Sequence, residues 1–295
     1  MRHFLIYLAL LFLLPTAFSQ AFSLQIGRGG DSEKKVDITS LFRAGKAVSK
    51  TFEDITPEQE YFIGRTVSAI IVNEYKPYDL QAANDYLNLL GQTLAQASDL
   101  PETFGGYHFL ILDSESINAF AAPSGLIFVT KGLIRCCPNE DALAAVLAHE
   151  IGHVQYKHGL QAIKKSRVTS ALTAIGIAGV ASNEGVDMTF VPETFYNSVN
   201  DITTTLINNG YSKKFEYAAD QAAVTIMNRV GYNPAALLDM LKIMKDKLKP
   251  DGTDFAKTHP SPKVRIKKVR KKIDKTPVSQ SPARQNRFEQ FISSI

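Results

Sequence analysis

The sequence is poor in cysteine and in long apolar runs, and these absences exclude several classes of protein. Two cysteines in 295 residues cannot staple a miniprotein together. The Ala-, Gly- and Val-rich stretch 168–182 is too short for a membrane span, which needs about 20 apolar residues. No internal repeat is visible, which excludes a solenoid. The hydrophobic share of 45% is ordinary, so we expect a folded chain and not a disordered one.

The net charge of +4 hides two oppositely charged parts. From Lys263 to the C-terminus the chain has ten Lys or Arg and two Asp or Glu, a balance of +8, so residues 1–262 carry −4. A protein that binds nucleic acid is normally basic over its main domain. We therefore expect no nucleic-acid partner.

The basic segment is predicted to be a terminal helix over residues 263–273. Its apolar residues recur at helical spacing between the basic ones. The expected apolar face consists of Val264, Ile266, Val269 and Ile273. The basic face is expected to be solvated, with peripheral contact to a membrane or to an envelope complex as the alternative.

The N-terminus has the three parts of a secretory signal peptide. Met1-Arg2-His3 is a short positive region, an apolar run extends from Phe4 to Leu14, and small residues follow up to Ala21. We predict that residues 1–21 are a signal peptide and that the chain is exported to the periplasm. An uncleaved anchor is the alternative.

Local patterns predict a helix-rich chain with a few short strands. Thr56 before Pro57 has the pattern of a helix start, and Asn139 begins another helix. The expected helices cover residues 57–75, 80–97, 140–157, 212–229 and 234–247, and the expected strands cover residues 106–112 and 125–130. Residues 116–125 are predicted to be a loop, and residues 183–210 an irregular polar segment.

The segment His149-Glu150-Ile151-Gly152-His153 carries the strongest functional signal. Residues four apart lie on one face of a helix, so the two imidazoles can bind one metal ion. A catalytic zinc ion has three protein ligands and a water, whose pKa it lowers. The pattern predicts zinc ligands at His149 and His153, with Glu150 as the general base that takes the proton of that water.

A third ligand is needed, and the sequence offers an acidic pair for it. A histidine six residues after His153 would fit one zincin pattern, but Gly159 stands there. Glu216 and Asp220 lie four apart on a later helix. Glu216 can bind the metal while Asp220 accepts a hydrogen bond from a ligating imidazole. His158 is expected either at the surface or as an outer partner of the site.

Four motifs in one order resemble the HtpX/BepA-like zinc metallopeptidases, gluzincins related to the CAAX prenyl proteases and the mitochondrial Oma-type proteases. The motifs are Asn118-Ala119-Phe120-Ala121-Ala122-Pro123-Ser124-Gly125, His149-Glu150-Ile151-Gly152-His153, Glu216-Tyr217-Ala218-Ala219-Asp220 and His259-Pro260-Ser261-Pro262. The resemblance implies an α+β, predominantly helical zincin-like fold. A small β-sheet is expected, whose edge strand borders the active-site cleft.

The resemblance also implies one Zn²⁺ per subunit and a role for each residue of the site. The metal ligands would be His149, His153 and Glu216. The catalytic residues would be Glu150 as general base, Asp220 beside a ligand or as a proton donor, and His259, which steadies the oxyanion. The substrate-binding residues would be Asn118, Ala119, Phe120 and Ala121, in an edge strand to which an extended polypeptide adds.

The sequence departs from the membrane-embedded members, which have several long apolar helices, and from the BepA-like members that carry a helical repeat array. It therefore resembles a short, exported, soluble branch. We expect residues 22–50 to be a linker, residues 51–275 a zinc metallopeptidase domain and residues 276–295 a C-terminal tail. The predicted function is zinc-dependent endopeptidase action on extended or misfolded envelope proteins. The alternative is a chaperone-like binding protein that uses the same groove with little turnover.

Overall fold

The structure, a computed structural model, describes residues 55–163, 193–247, 258–259, 262–273 and 281–295. In chain order the elements are α1 (Pro57–Glu74), α2 (Gln81–Ala95), β1 (His108–Leu112), β2 (Ala119–Ala122), β3 (Leu126–Thr130), α3 (Lys131–Ile134), α4 (Glu140–Gln155), α5 (His158–Gln161), α6 (Glu193–Thr204), α7 (Lys213–Arg229), α8 (Ala235–Lys247), α9 (Pro262–Val269) and α10 (Pro282–Ser293). Apart from residues 193–196, the described chain belongs to one compact unit. The predicted fold class, helix-rich α+β with a small sheet, is confirmed.

The expected helices and strands are present, with two corrections. Helix α1 begins with a capping box, in which the side chains of Thr56 and Gln59 each accept a hydrogen bond from the backbone N–H of the other. The loop that local composition predicts over residues 116–125 contains strand β2, in agreement with the edge strand that the family resemblance implies. The predicted irregular segment 183–210 contains helix α6 and a π-helical turn at Thr205–Asn209. Strand β2 forms because it pairs with β3, a contact that local composition does not reveal.

The sheet places β2 at one of its edges. The strand order is β1–β3–β2. Strand β1 runs parallel to β3, and β2 runs antiparallel to it with Ala119 opposite Val129. Ser124 (φ 64°) and Gly125 (φ 87°) form a tight 3-10 turn between β2 and β3, which needs left-handed backbone.

Helix α4 lies at the centre of the core. Every residue from Glu140 to Val154 is buried, which is typical of a helix enclosed by other elements on all sides. Helices α2, α7 and α8 and strand β2 pack against it. Its first turn is stabilised by Asn139, whose Oδ1 accepts a hydrogen bond from the Ala142 N–H at 2.9 Å.

Helices α4 and α7 approach each other closely at Gly152. A Cβ atom on Gly152 would lie 3.0 Å from the Cα and the carbonyl oxygen of Ala219 and 3.0 Å from the Cβ of Ala222. The missing side chain on α4 and the two small ones on α7 therefore permit the short distance between the helices. The first turn of α7 is thereby held beside the histidines of α4.

The two C-terminal helices are more buried than their composition suggests. In α9 the predicted apolar face is wrong in part, since Val264 is 45% exposed whereas Arg265 is 1% exposed and Val269 is buried. Helix α10 lies in the segment predicted to be a tail, and its Phe288 and Phe291 belong to the main hydrophobic core. The domain boundaries themselves stay a prediction.

Within the described ranges, no helix is both long enough and apolar enough to cross a membrane. The predicted signal peptide, the predicted linker and the stretch 168–182 lie outside the described residues. Neither Cys136 nor Cys137 forms a disulfide bond within the described part of the chain.

Candidate metal centre

Three parts of the fold bring four metal-ligand side chains to one point. His149 and His153 lie one turn apart on α4, Glu216 lies in the first turn of α7, and His259 lies in the short segment before α9. One nitrogen or oxygen atom from each lies within 4.8 Å of the others, and all four residues are buried. The three predicted ligands are thus adjacent to one another, with His259 beside them.

The distances within this cluster suit a single small cation. The Nε2 atoms of His149 and His153 are 3.1 Å apart. The Glu216 carboxylate lies 3.6 Å from the first and 3.4 Å from the second. His259 Nδ1 lies 3.1 Å from Glu216 Oε1 and 3.3 Å from His149 Nε2. Imidazole nitrogens with a carboxylate oxygen are a donor set that zinc accepts, so the residues present fit a zinc ion.

Glu150 lies next to the cluster, and its carboxylate makes no hydrogen bond within the described ranges. Both carboxylate oxygens are buried, and neither has a hydrogen-bond partner among the described residues. His259 Nε2 is 3.7 Å from Oε1, which is too long for a hydrogen bond. Burial raises the pKa of Glu150 above its ordinary value, despite the nearby positive groups. A carboxylate left unpartnered in this way is available to react.

The outer side of His149 is held by a charged pair. Its Nδ1 is 3.1 Å from Asp220 Oδ1, and Asp220 accepts two hydrogen bonds from Arg265, from Nε at 2.9 Å and from Nη2 at 2.6 Å. Burial alone would raise the pKa of Asp220, but Arg265 lowers it to about 2. A carboxylate that stays ionised is suited to orienting His149 and is less suited to donating a proton.

Arg265 contacts the candidate site, although the sequence pattern predicts it on the solvated basic face of residues 263–273. It is buried, and its Nη1 lies 2.8 Å from Glu216 Oε2. The sequence offers one signal, because Arg265 lies four residues before the apolar Val269 and therefore shares its helix face. Only the neighbouring carboxylates show why an arginine occupies this position.

The outer side of His153 is held by aromatic rings. His153 Nδ1 is 2.9 Å from the Nδ1 of His158, and the Tyr211 ring stacks on the His153 imidazole with centroids 4.1 Å apart. Burial lowers the pKa of His153, and this favours the neutral form that binds a metal. Of the two expectations for His158, the structure supports the outer partner, because this residue is buried.

The four predicted substrate-binding residues follow one another at the edge of the sheet. Asn118, Ala119, Phe120 and Ala121 are all buried. The Asn118 Oδ1 accepts a hydrogen bond from the Thr258 hydroxyl at 3.2 Å, which joins the start of β2 to the residue before His259. Because these side chains point into the protein, a polypeptide could be recognised here only through the main chain of β2.

Comparison with known proteins identifies the family. The family described as "Peptidase family M48" matches this chain over residues 81–273. The match covers more than half of the chain and contains the whole cluster. The chain belongs to peptidase family M48. The resemblance to the HtpX/BepA-like and Oma-type metallopeptidases is confirmed, and so is the prediction of a metallopeptidase.

Curated relatives of this M48 chain are identical to it at about a quarter of the aligned residues. It is 27% identical over 195 residues to a "Beta-barrel assembly-enhancing protease" of Yersinia pestis and 26% identical over 195 residues to that of Escherichia coli (strain K12). Each match covers 64% of this chain and 38% of the relative, so the chain spans well under half of their length. It is also 25% identical over 229 residues to the "Mitochondrial metalloendopeptidase OMA1" of Schizosaccharomyces pombe, covering 75% of this chain and 63% of that protein.

Proposed function

We propose that this protein is a zinc-dependent endopeptidase. The observation that carries the proposal is the unpartnered Glu150 carboxylate beside four converging ligand atoms. Native proteins rarely leave a buried carboxylate without partners unless it has a chemical task. A bound Zn²⁺ would polarise a peptide carbonyl and lower the pKa of a water molecule.

Each residue of the candidate site would then have a separate task. His149, His153 and Glu216 would hold the metal. Glu150 would accept a proton from water, and its burial makes it a stronger base than an exposed carboxylate. Asp220 would keep the His149 ring oriented through the contact at 3.1 Å.

His259 is proposed to stabilise negative charge on the substrate. Burial acts to lower its pKa, but the carboxylates of Glu216 and Glu150 outweigh burial and raise it. An imidazole N–H beside the metal ligands would donate a hydrogen bond to the oxyanion formed when a peptide carbonyl is attacked. The position of the His259 Nδ1 atom within the ligand cluster supports this role.

The substrates are proposed to be extended or misfolded polypeptides of the cell envelope. A chain that adds as a strand to β2 would be held by main-chain hydrogen bonds and would need little side-chain specificity. The names of the bacterial relatives connect them with β-barrel assembly. This supports the proposal that the substrates are envelope proteins that have not yet folded. The exposed lysines of α9 are proposed to bring the enzyme to an anionic membrane surface or an envelope complex.

Cleavage of an unfolded protein tests the enzymatic reaction directly. The purified full chain should contain one zinc per subunit and cleave casein, and a chelator should stop the cleavage. The variant Glu150→Gln should keep the zinc and lose the activity, while Glu216→Ala should lose both. The control Glu74→Gln changes an exposed glutamate on α1 and should behave as wild type.

The outcomes separate the two candidate functions. Wild-type protein that binds zinc and unfolded casein without cleaving it would overturn the endopeptidase in favour of the chaperone-like binding protein. Zinc content unchanged in Glu216→Ala would overturn the assignment of the third ligand.

Export is a separate part of the proposal. Residues 1–21 are proposed to be removed as a signal peptide, which would place the mature chain in the periplasm. The N-terminal sequence of protein purified from the envelope fraction tests this. A chain that still begins at Met1 would contradict removal of the signal.

A further inference from the structure

His158 occupies a position that the catalytic residues leave unexplained. It follows Lys157, whose left-handed backbone (φ 53°, ψ 36°) turns the chain sharply after α4. The turn directs the imidazole back into the protein, where only 2% of His158 is exposed. Its Nδ1 atom lies 2.9 Å from the Nδ1 of His153. This is a direct contact with a ligand candidate, made on the side away from the metal cluster.

The hydrogen-bond chemistry of this contact determines both tautomers. His153 directs its Nε2 into the cluster, 3.4 Å from Glu216 Oε1, and a nitrogen that binds a metal must offer a lone pair. The ring hydrogen of His153 is therefore on Nδ1. His158 Nδ1 must accept that hydrogen, so His158 is the neutral imidazole that carries its own hydrogen on Nε2.

The His158 ring is itself held in place by the helix that carries Glu216. It stacks on Phe215, with ring centroids 4.3 Å apart and an interplanar angle of 12°. Phe215 directly precedes Glu216 in the first turn of α7. His158 thus connects the end of α4, which carries two ligands, with the start of α7, which carries the third.

We propose that His158 is a positioning residue for the metal centre, which fixes the tautomer and the ring orientation of His153 and so strengthens metal binding. The inference rests on the proposed zinc site. Partners of this kind, which accept a hydrogen bond from a ligating histidine, raise metal affinity by about 10–100-fold. A carboxylate usually takes this role, as Asp220 does at His149. Here a neutral ring takes it, and the buried site gains no further charge.

Two variants of the full-length protein separate the hydrogen bond from the packing. His158→Phe keeps an aromatic ring against Phe215 and removes the acceptor, whereas His158→Asn restores an acceptor oxygen near the position of Nδ1. The zinc dissociation constant, measured by competition with a chelating dye, should rise about 10–100-fold in His158→Phe. It should stay close to the wild-type value in His158→Asn. The control His108→Phe removes an exposed histidine of β1 and should leave the zinc dissociation constant unchanged.

A second measurement uses the wild-type protein and therefore does not depend on whether the variants fold. Long-range ¹H–¹⁵N NMR spectra of the zinc-loaded wild type report which ring nitrogen of each histidine carries hydrogen. We expect hydrogen on Nδ1 of His153 and on Nε2 of His158. Hydrogen on Nδ1 of His158, or zinc affinity in His158→Phe equal to wild type, would overturn the positioning role while the peptidase proposal stands. Wild-type protein that binds no zinc would overturn both.

Discussion

Helix α4 carries two buried glutamates, and the surroundings of the two are opposite. Glu140, in the first turn, is fully partnered. Its hydrogen-bond donors are the hydroxyls of Tyr86 at 2.7 Å and Tyr232 at 2.6 Å and the Nε of Arg287 at 2.5 Å. Glu150, near the other end, has no hydrogen-bond partner for either oxygen in the described part of the chain.

The pKa values of the two carboxyl groups move in opposite directions. Burial acts to raise both, but at Glu140 the hydrogen bonds from Arg287, Tyr232 and Tyr86 outweigh it and lower the pKa. At Glu150 burial outweighs the nearby positive groups, and the pKa is raised. A buried carboxylate with all its partners stabilises the fold, whereas one without partners is kept ready for chemistry.

The largest effect is expected when Glu150 is replaced by Gln, and it should fall on catalysis. An amide cannot take a proton from water, so kcat for casein cleavage should fall by about 10²–10⁴-fold. The free energy of unfolding should stay equal or rise, because a buried charge that lacks hydrogen bonds has been removed. Urea unfolding and kcat, measured on the same preparations, check both. Lower stability with unchanged kcat would show that Glu150 stabilises the fold and does not serve catalysis.

The replacement Glu140→Gln should have the opposite profile. It weakens a buried set of charge-assisted hydrogen bonds, so the free energy of unfolding should fall by about 1–3 kcal/mol. The kcat of the folded fraction should stay at the wild-type value, because Glu140 does not touch the metal cluster. The control Glu74→Gln should change stability by less than about 0.5 kcal/mol. A large loss of kcat in Glu140→Gln at full zinc content would show that Glu140 also contributes to catalysis, as Glu150 is expected to do.

Acid should remove the contribution of Glu140 to stability. Its pKa in the folded protein lies below the ordinary value of 4.5, so this contribution is present above pH 4.5 and is lost as the pH falls below it. The difference in unfolding free energy between wild type and Glu140→Gln should therefore narrow from pH 7 to pH 4. A difference that stays constant over this range would contradict the lowered pKa.

The smallest effect is expected from Arg287→Met, which removes one donor to Glu140 and leaves the two tyrosines. The Arg287 side chain is 48% exposed, so solvent screens the ion pair, and we expect a loss of about 0.5–1 kcal/mol. The loss should shrink at high salt. Arg270→Met, at an exposed position after α9, is the matched control. A loss as large as that of Glu140→Gln would mean that the tyrosines contribute little.

Much of the metal centre could be predicted from spacing along the chain. Two histidines four apart share one face of a helix wherever that helix lies, and the same rule applies to Glu216 and Asp220. Most helix boundaries follow equally from local caps and apolar spacing, whereas the zincin-like fold class follows from the resemblance of the motifs to a known family. Strand β2 did not follow from local residues, because its conformation depends on pairing with β3.

The positions of two further residues beside the cluster could not be predicted from spacing along the chain. Arg265 has basic neighbours in the sequence, and nothing local indicates that it lies against Asp220 and Glu216. For His158 the sequence allows either a place at the surface or one beside the site. Both roles depend on which groups lie opposite in the fold, and those groups come from distant parts of the chain.

The sequence by itself therefore determined the candidate ligand types and their i, i+4 spacing, since helix geometry relates such residues regardless of context, and the order of its four motifs indicated the family. Only the tertiary structure decided how the two ligand-bearing helices meet, because their approach depends on Gly152 packing against Ala219. It also decided which buried glutamate is partnered. Hydrogen-bond satisfaction is a property of the assembled interior, where Tyr86, Tyr232 and Arg287 from three separate segments reach one carboxylate.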